Sequence, residues 1–243
     1  MLKIFIGYDS NEVTAYHTCV QSILDQAKKP VQIIALCKDQ LSELYWRERN
    51  PKESTEFSMT RFLTPYLSGY NGVSLFVDCD VIFLEDPYRL LAYPCSSPEK
   101  AVFVVKHDYT PKTETKFLGQ DQTKYEKKNW SSVMLFNNRL CRKLSLTYIN
   151  GASGLELHQF KWLENDELIG ELPKEWNHLV GEMPENPSAK IVHFTLGTPC
   201  FNGYEEQEHS DAWHKIMKKS TSSVQHIAAS VMAEIRNDPA LSG

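Results

Sequence analysis

Ser74-Leu75-Phe76-Val77-Asp78-Cys79-Asp80-Val81-Ile82-Phe83 carries an apolar strand pattern straight into two aspartates spaced i, i+2. On an extended backbone, residues two apart point to the same side, so Asp78 and Asp80 converge where the strand ends. In an open α/β sheet, the carboxyl ends of the strands are where ligands bind. Paired hard oxygen donors there suit Mn²⁺ or Mg²⁺, which in turn suit a diphosphate. An acidic turn behind a buried strand gives the same short pattern, so the reading rests on what surrounds it.

Upstream, residues 2–7 form a nearly all-apolar strand, as expected for one buried on both faces. Tyr8-Asp9-Ser10-Asn11 is a polar turn at its end, with Ser10 or Asn11 placed to cap a helix over 12–26. Residues 31–36 give a second strand and 39–49 a second helix, which is the βαβ alternation of a parallel sheet. A helix carrying Arg61, Phe62, Leu63 and Tyr66 leads into the aspartate strand, and Pro87 starts a short helix after it. Further strands are expected at 101–106, 132–136 and 189–194, with a helix over 153–163 and a short irregular element at 172–177. The lysine-rich stretch 109–128 shows no periodicity and reads as a long loop. From Asp211 to Asn237 the pattern is helical and amphipathic, offering a face for packing on the domain or for a homodimer contact. Nothing in composition marks a second domain.

Composition narrows the class. With 243 residues, 42% hydrophobic and 23% charged, the chain matches a globular domain with a sizeable core. A net charge of −5 argues against nucleic acid as the main partner, since a basic stripe is the expected footprint. The six cysteines include no C-x-x-C pair and several lie in apolar runs, which argues against a disulfide framework or a zinc site built on cysteines. No signal-peptide pattern opens the sequence, and no apolar run reaches the ~20 residues of a membrane span. The expectation is a cytoplasmic protein without a transmembrane segment.

Several strand ends carry polar groups: Tyr8-Asp9, Asp78/Asp80, His107-Asp108, Asn137 and His193. In a parallel sheet these ends share one edge and meet over one crevice. Asp-x-Asp plus one histidine is a mixed oxygen and nitrogen set that favours Mn²⁺ over Ca²⁺. Arg61 offers a fork for phosphate or ribose oxygens, against the alternative of a surface ion pair. Asn137, Asp166 and Asn177 have the chemistry to bind sugar hydroxyls, and turn or capping roles compete with that reading. Trp130 and Trp176 are either stacking platforms for a sugar or core.

In these residues the chain resembles GT-A fold glycosyltransferases, in particular the family 8 group of glycogenin and bacterial lipopolysaccharide galactosyltransferases. The resemblance covers about 2–204, in the family's order: Ile4-Phe5-Ile6-Gly7-Tyr8-Asp9-Ser10, Thr60-Arg61-Phe62-Leu63, Phe76-Val77-Asp78-Cys79-Asp80-Val81, Val133-Met134-Leu135-Phe136-Asn137, Leu172-Pro173-Lys174-Glu175-Trp176-Asn177, and His193-Phe194 with Gly197 behind it. It implies an α/β fold: one Rossmann-like nucleotide-binding domain over 1–204, with a mostly parallel sheet flanked by helices and a helical extension over 205–243 packed on it. It implies a transferase moving a hexose from a nucleotide sugar, UDP-linked as a rule, with Mn²⁺ or Mg²⁺ and retention of configuration. By position, Asp78, Asp80 and His193 would hold the metal. Tyr8, Asp9, Ser10, Arg61, Asp78 and Cys79 would line the nucleotide site, and Asn137 and Asp166 would meet the donor sugar, completing a catalytic set with the two aspartates. The acceptor would be a glycan, a lipid-linked sugar or a small molecule.

Two departures stand out. Gly197-Thr198-Pro199-Cys200 lacks the lysine with which the family meets the diphosphate, leaving the 112–128 lysines as substitutes. Asn165-Asp166-Glu167 replaces the family's Asp-Gln-Asp. Other readings remain: a haloacid-dehalogenase-like phosphatase with Asp78 as nucleophile, although Val81-Ile82 stands where such enzymes carry threonine; a nucleotidyltransferase, although no Gly-rich loop follows the first strand; and a nucleotide- or glycan-binding module without turnover.

Overall fold

The first three strands are parallel and largely apolar: β1 and β3 are covered on both faces, and β2 is a partly exposed edge strand. β1 (Leu2–Gly7), α1 (Val13–Gln26) and β2 (Val31–Leu36) form one βαβ unit. A 3₁₀ turn, Thr60–Leu63, and α2 (Thr64–Leu67) lead into β3 (Val73–Val77), which pairs parallel to β1 with Phe5 beside Phe76. Then come β4 (Val81–Phe83), a 3₁₀ turn at Pro87–Leu91, α3 (Ala92–Ser96), β5 (Val102–Val104) and β6 (Val133–Asn137). α4 (Leu146–Gly151), α5 (Gly154–His158), β7 (Ile169–Glu171), β8 (His178–Leu179), β9 (Ile191–His193) and α6 (Ser210–Thr221) complete the order. This is a computed structural model, and it describes residues 1–50, 53–108 and 126–222.

The main sheet has the order β2-β1-β3-β6-β5-β7, parallel throughout except that β6 runs against both β3 and β5. A second, smaller sheet has the order β4-β9-β8. The two sheets meet at the turn Asp78-Cys79-Asp80, which ends β3 in one and starts β4 in the other. α1 binds them together, for the buried Ser22 hydroxyl accepts the Phe83 amide of β4 at 2.9 Å. The large core fills around Phe5, Phe76 and Phe136 on the central strands. A satellite core of Ile82, Val192, Phe194 and Trp213 seats α6 on the second sheet, and Lys219 of α6 meets Asp25 of α1.

Local structure departs from the sequence expectation in three places. The helix expected over 39–49 is only a 3₁₀ turn, Lys38–Gln40, followed by irregular chain. The backbone that a helix would use is taken by tertiary contacts: Asn150 accepts the Trp46 amide at 2.8 Å and donates to the Leu44 carbonyl at 3.0 Å. Arg47 donates to the Ile149 and Ala152 carbonyls. The helix expected over 153–163 opens on a capping box at Ser153 and Glu156 but stops at His158, with Phe160 in the left-handed region at φ 59°. Third, β6 is antiparallel, which changes which of its ends faces the site. Most of the 109–128 loop and the helical pattern beyond Ser222 lie outside the described residues.

Candidate metal centre

Asp78 and Asp80 come together through a turn rather than through the extended backbone that their spacing suggested. The Asp78 amide donates to the Ser132 carbonyl at 2.9 Å, and the Asp80 carbonyl accepts the Phe194 amide at 3.0 Å. Each aspartate is thereby clamped to a different sheet. Between them Cys79 turns inward, fully buried, with its thiol 3.6 Å from Glu12 Oε2. Burial first, then the Glu12, Asp80 and Asp78 carboxylates, push that thiol well above its usual pKa. Only the backbone of Cys79 is left to line a nucleotide site.

The third group arrives from the second sheet. β9 runs antiparallel to β4 and sets His193 opposite Val81, so His193 Nε2 lies 3.2 Å from Asp80 Oδ1. Ligand atoms of Asp78, Asp80 and His193 all fall within 4.8 Å of one another. The imidazole is oriented from behind by Asn177, whose Oδ1 lies 3.0 Å from His193 Nδ1. The amide nitrogen of Asn177 is committed to Ser132 Oγ at 2.8 Å and to the Asn129 carbonyl at 3.3 Å. Its oxygen therefore accepts from His193 Nδ1–H, which leaves Nε2 facing Asp80 and, in the neutral ring, open to a metal. This is the tautomer a metal requires, fixed by the hydrogen bond on the other ring nitrogen. Two carboxylates and one imidazole in that state fit a divalent cation of the Mn²⁺ or Mg²⁺ type.

Arg61 stands behind Asp78. It is 5% exposed, and its Nη1 donates to Asp78 Oδ1 at 2.8 Å and to the Ser131 carbonyl at 2.9 Å. Its guanidinium lies over the Phe57 and Phe76 rings at 5.2 and 5.0 Å. The fork expected to face nucleotide oxygens is placed against the Asp78 carboxylate, with the two neighbouring rings on its flank. Asp9 is similarly occupied: Oδ1 accepts the Asn11 amide at 2.9 Å and Oδ2 accepts the Glu56 amide at 3.0 Å. Ser10 is exposed and bonds Glu56 through its hydroxyl, and Tyr8 is half-buried, edge-on to Tyr16.

Asn137 and Asp166 do not join this cluster. The antiparallel pairing sets Asn137 opposite Val73 and Val133 opposite Val77, so Asn137 lies four residues, about 13 Å of strand, from the Asp78 end. Its amide nitrogen donates to the Pro98 carbonyl at 2.9 Å. Asp166 precedes β7, whose register places Ile169 beside Val102, and its exposed carboxylate pairs with Lys127 Nζ at 2.6 Å. The edge position assigned to Asn137 belongs to Ser131 and Ser132 at the opposite end of the same strand. Both escaped the sequence reading because nothing in their residue type signals that β6 is reversed.

Around the centre, two histidines are held neutral. Burial, then the charges of His193, Lys174 and His178, bring His107 down to about 3. His158, with Nδ1 2.7 Å from Ser131 Oγ, is also brought to about 3, by desolvation and then the Arg61 charge. Thr198, at the place of the missing lysine, is fully buried and bonds Cys200 Sγ at 3.1 Å. Of the loop lysines, Lys127 is engaged with Asp166 and the Gln159 carbonyl, and Lys112, Lys116 and Lys124 lie outside the described residues. Among the described residues, no helix is long and apolar enough to cross a membrane.

No protein-family model matches the chain. Protein CDI of Arabidopsis thaliana is 42% identical over 226 residues, spanning 89% of this chain and 86% of that protein. Among solved structures, the galactosyltransferase LgtC in complex with donor and acceptor sugar analogs is similar at TM-score 0.57 and 10% identity, over 93% of this chain and 99% of that one. The glycosyltransferase GlyE of Streptococcus pneumoniae is similar at TM-score 0.58 and 13% identity, over 96% of this chain and 63% of its own. The bifunctional glycosyltransferase WbbM gives 0.57 and 14%, over 93% of this chain, which spans only 50% of the WbbM chain. At these identities the likeness establishes the fold, which is the GT-A type of glycosyltransferases.

Proposed function

The chain belongs to the family of Arabidopsis thaliana protein CDI, and from the chemistry of its aspartate turn we propose that it is a metal-dependent glycosyltransferase. The reading is a retaining hexosyltransferase of the family 8 kind, taking a nucleotide sugar, UDP-linked, to a glycan, lipid-linked or small-molecule acceptor. The observation that carries it is the convergence of Asp78, Asp80 and His193 where β3 ends between two sheets of a GT-A fold. When bound, a divalent cation supplies Lewis acidity against the negative charge that develops on a leaving nucleoside diphosphate.

The chain's own residues prepare the site. Asp78 and Asp80 present oxygens and His193 presents Nε2. Arg61 holds Asp78 in place by a buried, charge-assisted hydrogen bond, and Asn177 holds the His193 tautomer. Tyr8 and Ser10, at the end of β1, stand where a nucleotide would lie against the first loop. No protein nucleophile is needed if the acceptor hydroxyl attacks from the face the diphosphate leaves.

Release of nucleoside diphosphate from a panel of UDP-, GDP- and CMP-sugars, with Mn²⁺ and with chelator, tests this. Asp78→Asn and Asp80→Asn should each lower turnover by more than about 100-fold, the scale of losing one electrostatic stabiliser, while thermal unfolding stays cooperative. Wild-type turnover in either variant, or phosphate release from phosphomonoesters, would refute the reading. The buried Thr198 in place of a lysine favours one second reading, a nucleotide-binding module, which tight UDP binding without donor cleavage would establish.

A further inference from the structure

A second group of metal-ligating side chains lies apart from the aspartate turn. His178, Glu208 and His209 bring ligand atoms within 4.8 Å of one another. His178 is the first residue of β8 and is fully buried. Its Nε2 lies 2.7 Å from Glu208 Oε2, and His209 Nε2 lies 3.2 Å from Glu208 Oε1. The Glu208 carboxylate is aimed by the Asn186 amide, which donates to Oε1 at 2.6 Å. The Asn186 carbonyl lies 3.2 Å from His209 Nε2.

Local backbone is arranged around this cluster at some cost. His209 is the N-cap residue of α6, yet it makes no side-chain cap hydrogen bond. It adopts φ 63°, ψ 9°, a left-handed conformation uncommon outside glycine. That conformation turns two consecutive side chains, Glu208 and His209, onto one imidazole. Strained residues of this kind cluster at ligand clamps. As hydrogen bonds, the two 3.2 Å contacts of His209 Nε2 are both at the long limit for N–H···O.

We propose that His178, Glu208 and His209 form a second divalent-cation site, selective for zinc, that fastens α6 to the sheet containing His193. Two imidazoles and one carboxylate are a set zinc takes with a fourth position left to water. The aspartate turn, with two carboxylates and one imidazole, is harder and suits Mn²⁺ or Mg²⁺. The two centres therefore sort different metals. β8 pairs with β9 so that Leu179 stands opposite His193, and a cation on His178 would stiffen the strand next to the one that presents His193.

The test is calorimetric titration of chelator-stripped protein with zinc chloride. Asp80→Asn disables the aspartate turn and should still take up one equivalent of zinc and gain thermal stability from it. Glu208→Gln keeps an acceptor for His178, and His209→Asn tolerates the left-handed backbone. Each, introduced into Asp80→Asn, should lose more than about tenfold in zinc affinity, since even groups that only orient a ligand cost 10–100-fold when removed. Cobalt substitution should give the visible bands of a tetrahedral site in Asp80→Asn and not when His209→Asn is added to it. Absence of zinc uptake by Asp80→Asn, or undiminished uptake by both other variants, would overturn the proposal and leave an ion-paired histidine cluster.

Discussion

Arg61 and Asn177 do their work through other residues, and their substitutions should separate positioning from binding. Arg61→Met keeps a side chain against Phe57 and Phe76 but removes the cation from Asp78. Breaking a buried pair from one side costs on the order of 3 kcal/mol, so urea unfolding should show a loss of that size together with weakened Mn²⁺ binding. Asn177→Ala should leave nucleotide contacts untouched and weaken Mn²⁺ about 10–100-fold, measurable by the paramagnetic resonance of free Mn²⁺. At this scale the sequence was informative where chemistry is carried by residue type: Asp78, Asp80 and His193 were legible as a group, and the fold brings their ligand atoms within 4.8 Å of one another. It was uninformative where the role depends on orientation. Residue type could not report that Arg61 donates to Asp78 beside the Phe57 and Phe76 rings. His178, Glu208 and His209 were invisible because Glu208 and His178 are 30 residues apart and meet only through the packing of α6.

Strands explain more than helices here. β1 and β3 were readable because strands covered on both faces are continuously apolar. The reversal of β6 was not, since a fully buried strand looks the same in either direction, and that reversal is what exchanges Asn137 for Ser131 and Ser132 at the site. The chain over 39–49 lost its helix to Asn150 and Arg47, contacts about a hundred residues away in sequence. The end of β1 carries a further test. A Cβ on Gly7 would stand 2.3 Å from the Phe57 ring, and Phe57 supports the Arg61 guanidinium at 5.2 Å. Gly7→Ala should therefore cost about 1–3 kcal/mol as an overpacking change and loosen Asp78 as well. A smaller ring position, Phe57→Leu, should restore part of the stability in the double variant. Additive losses in that denaturation cycle would contradict the coupling.

For the molecule as a whole, neutral buried histidines set an acid limit. His107 and His158 stay neutral in the folded state down to about pH 3, whereas in the unfolded chain they take up a second ring proton below about 6.5. Between those values the unfolded state binds more protons, so stability falls as pH is lowered through that window. His158→Gln should flatten part of the fall in urea midpoints between pH 6.5 and 4, and an unchanged slope would remove His158 from the account. The proposed transferase reading of the aspartate turn makes one demand above all others: the centre must couple metal to nucleotide. Thermal unfolding with UDP-, GDP- and CMP-sugars, with and without Mn²⁺, reads that coupling directly, because a ligand that binds only the folded state raises the transition by mass action. The account predicts a Mn²⁺-dependent rise for a UDP-sugar that disappears in Asp80→Asn. A cooperative transition that no nucleotide sugar moves, with Mn²⁺ present, would contradict it.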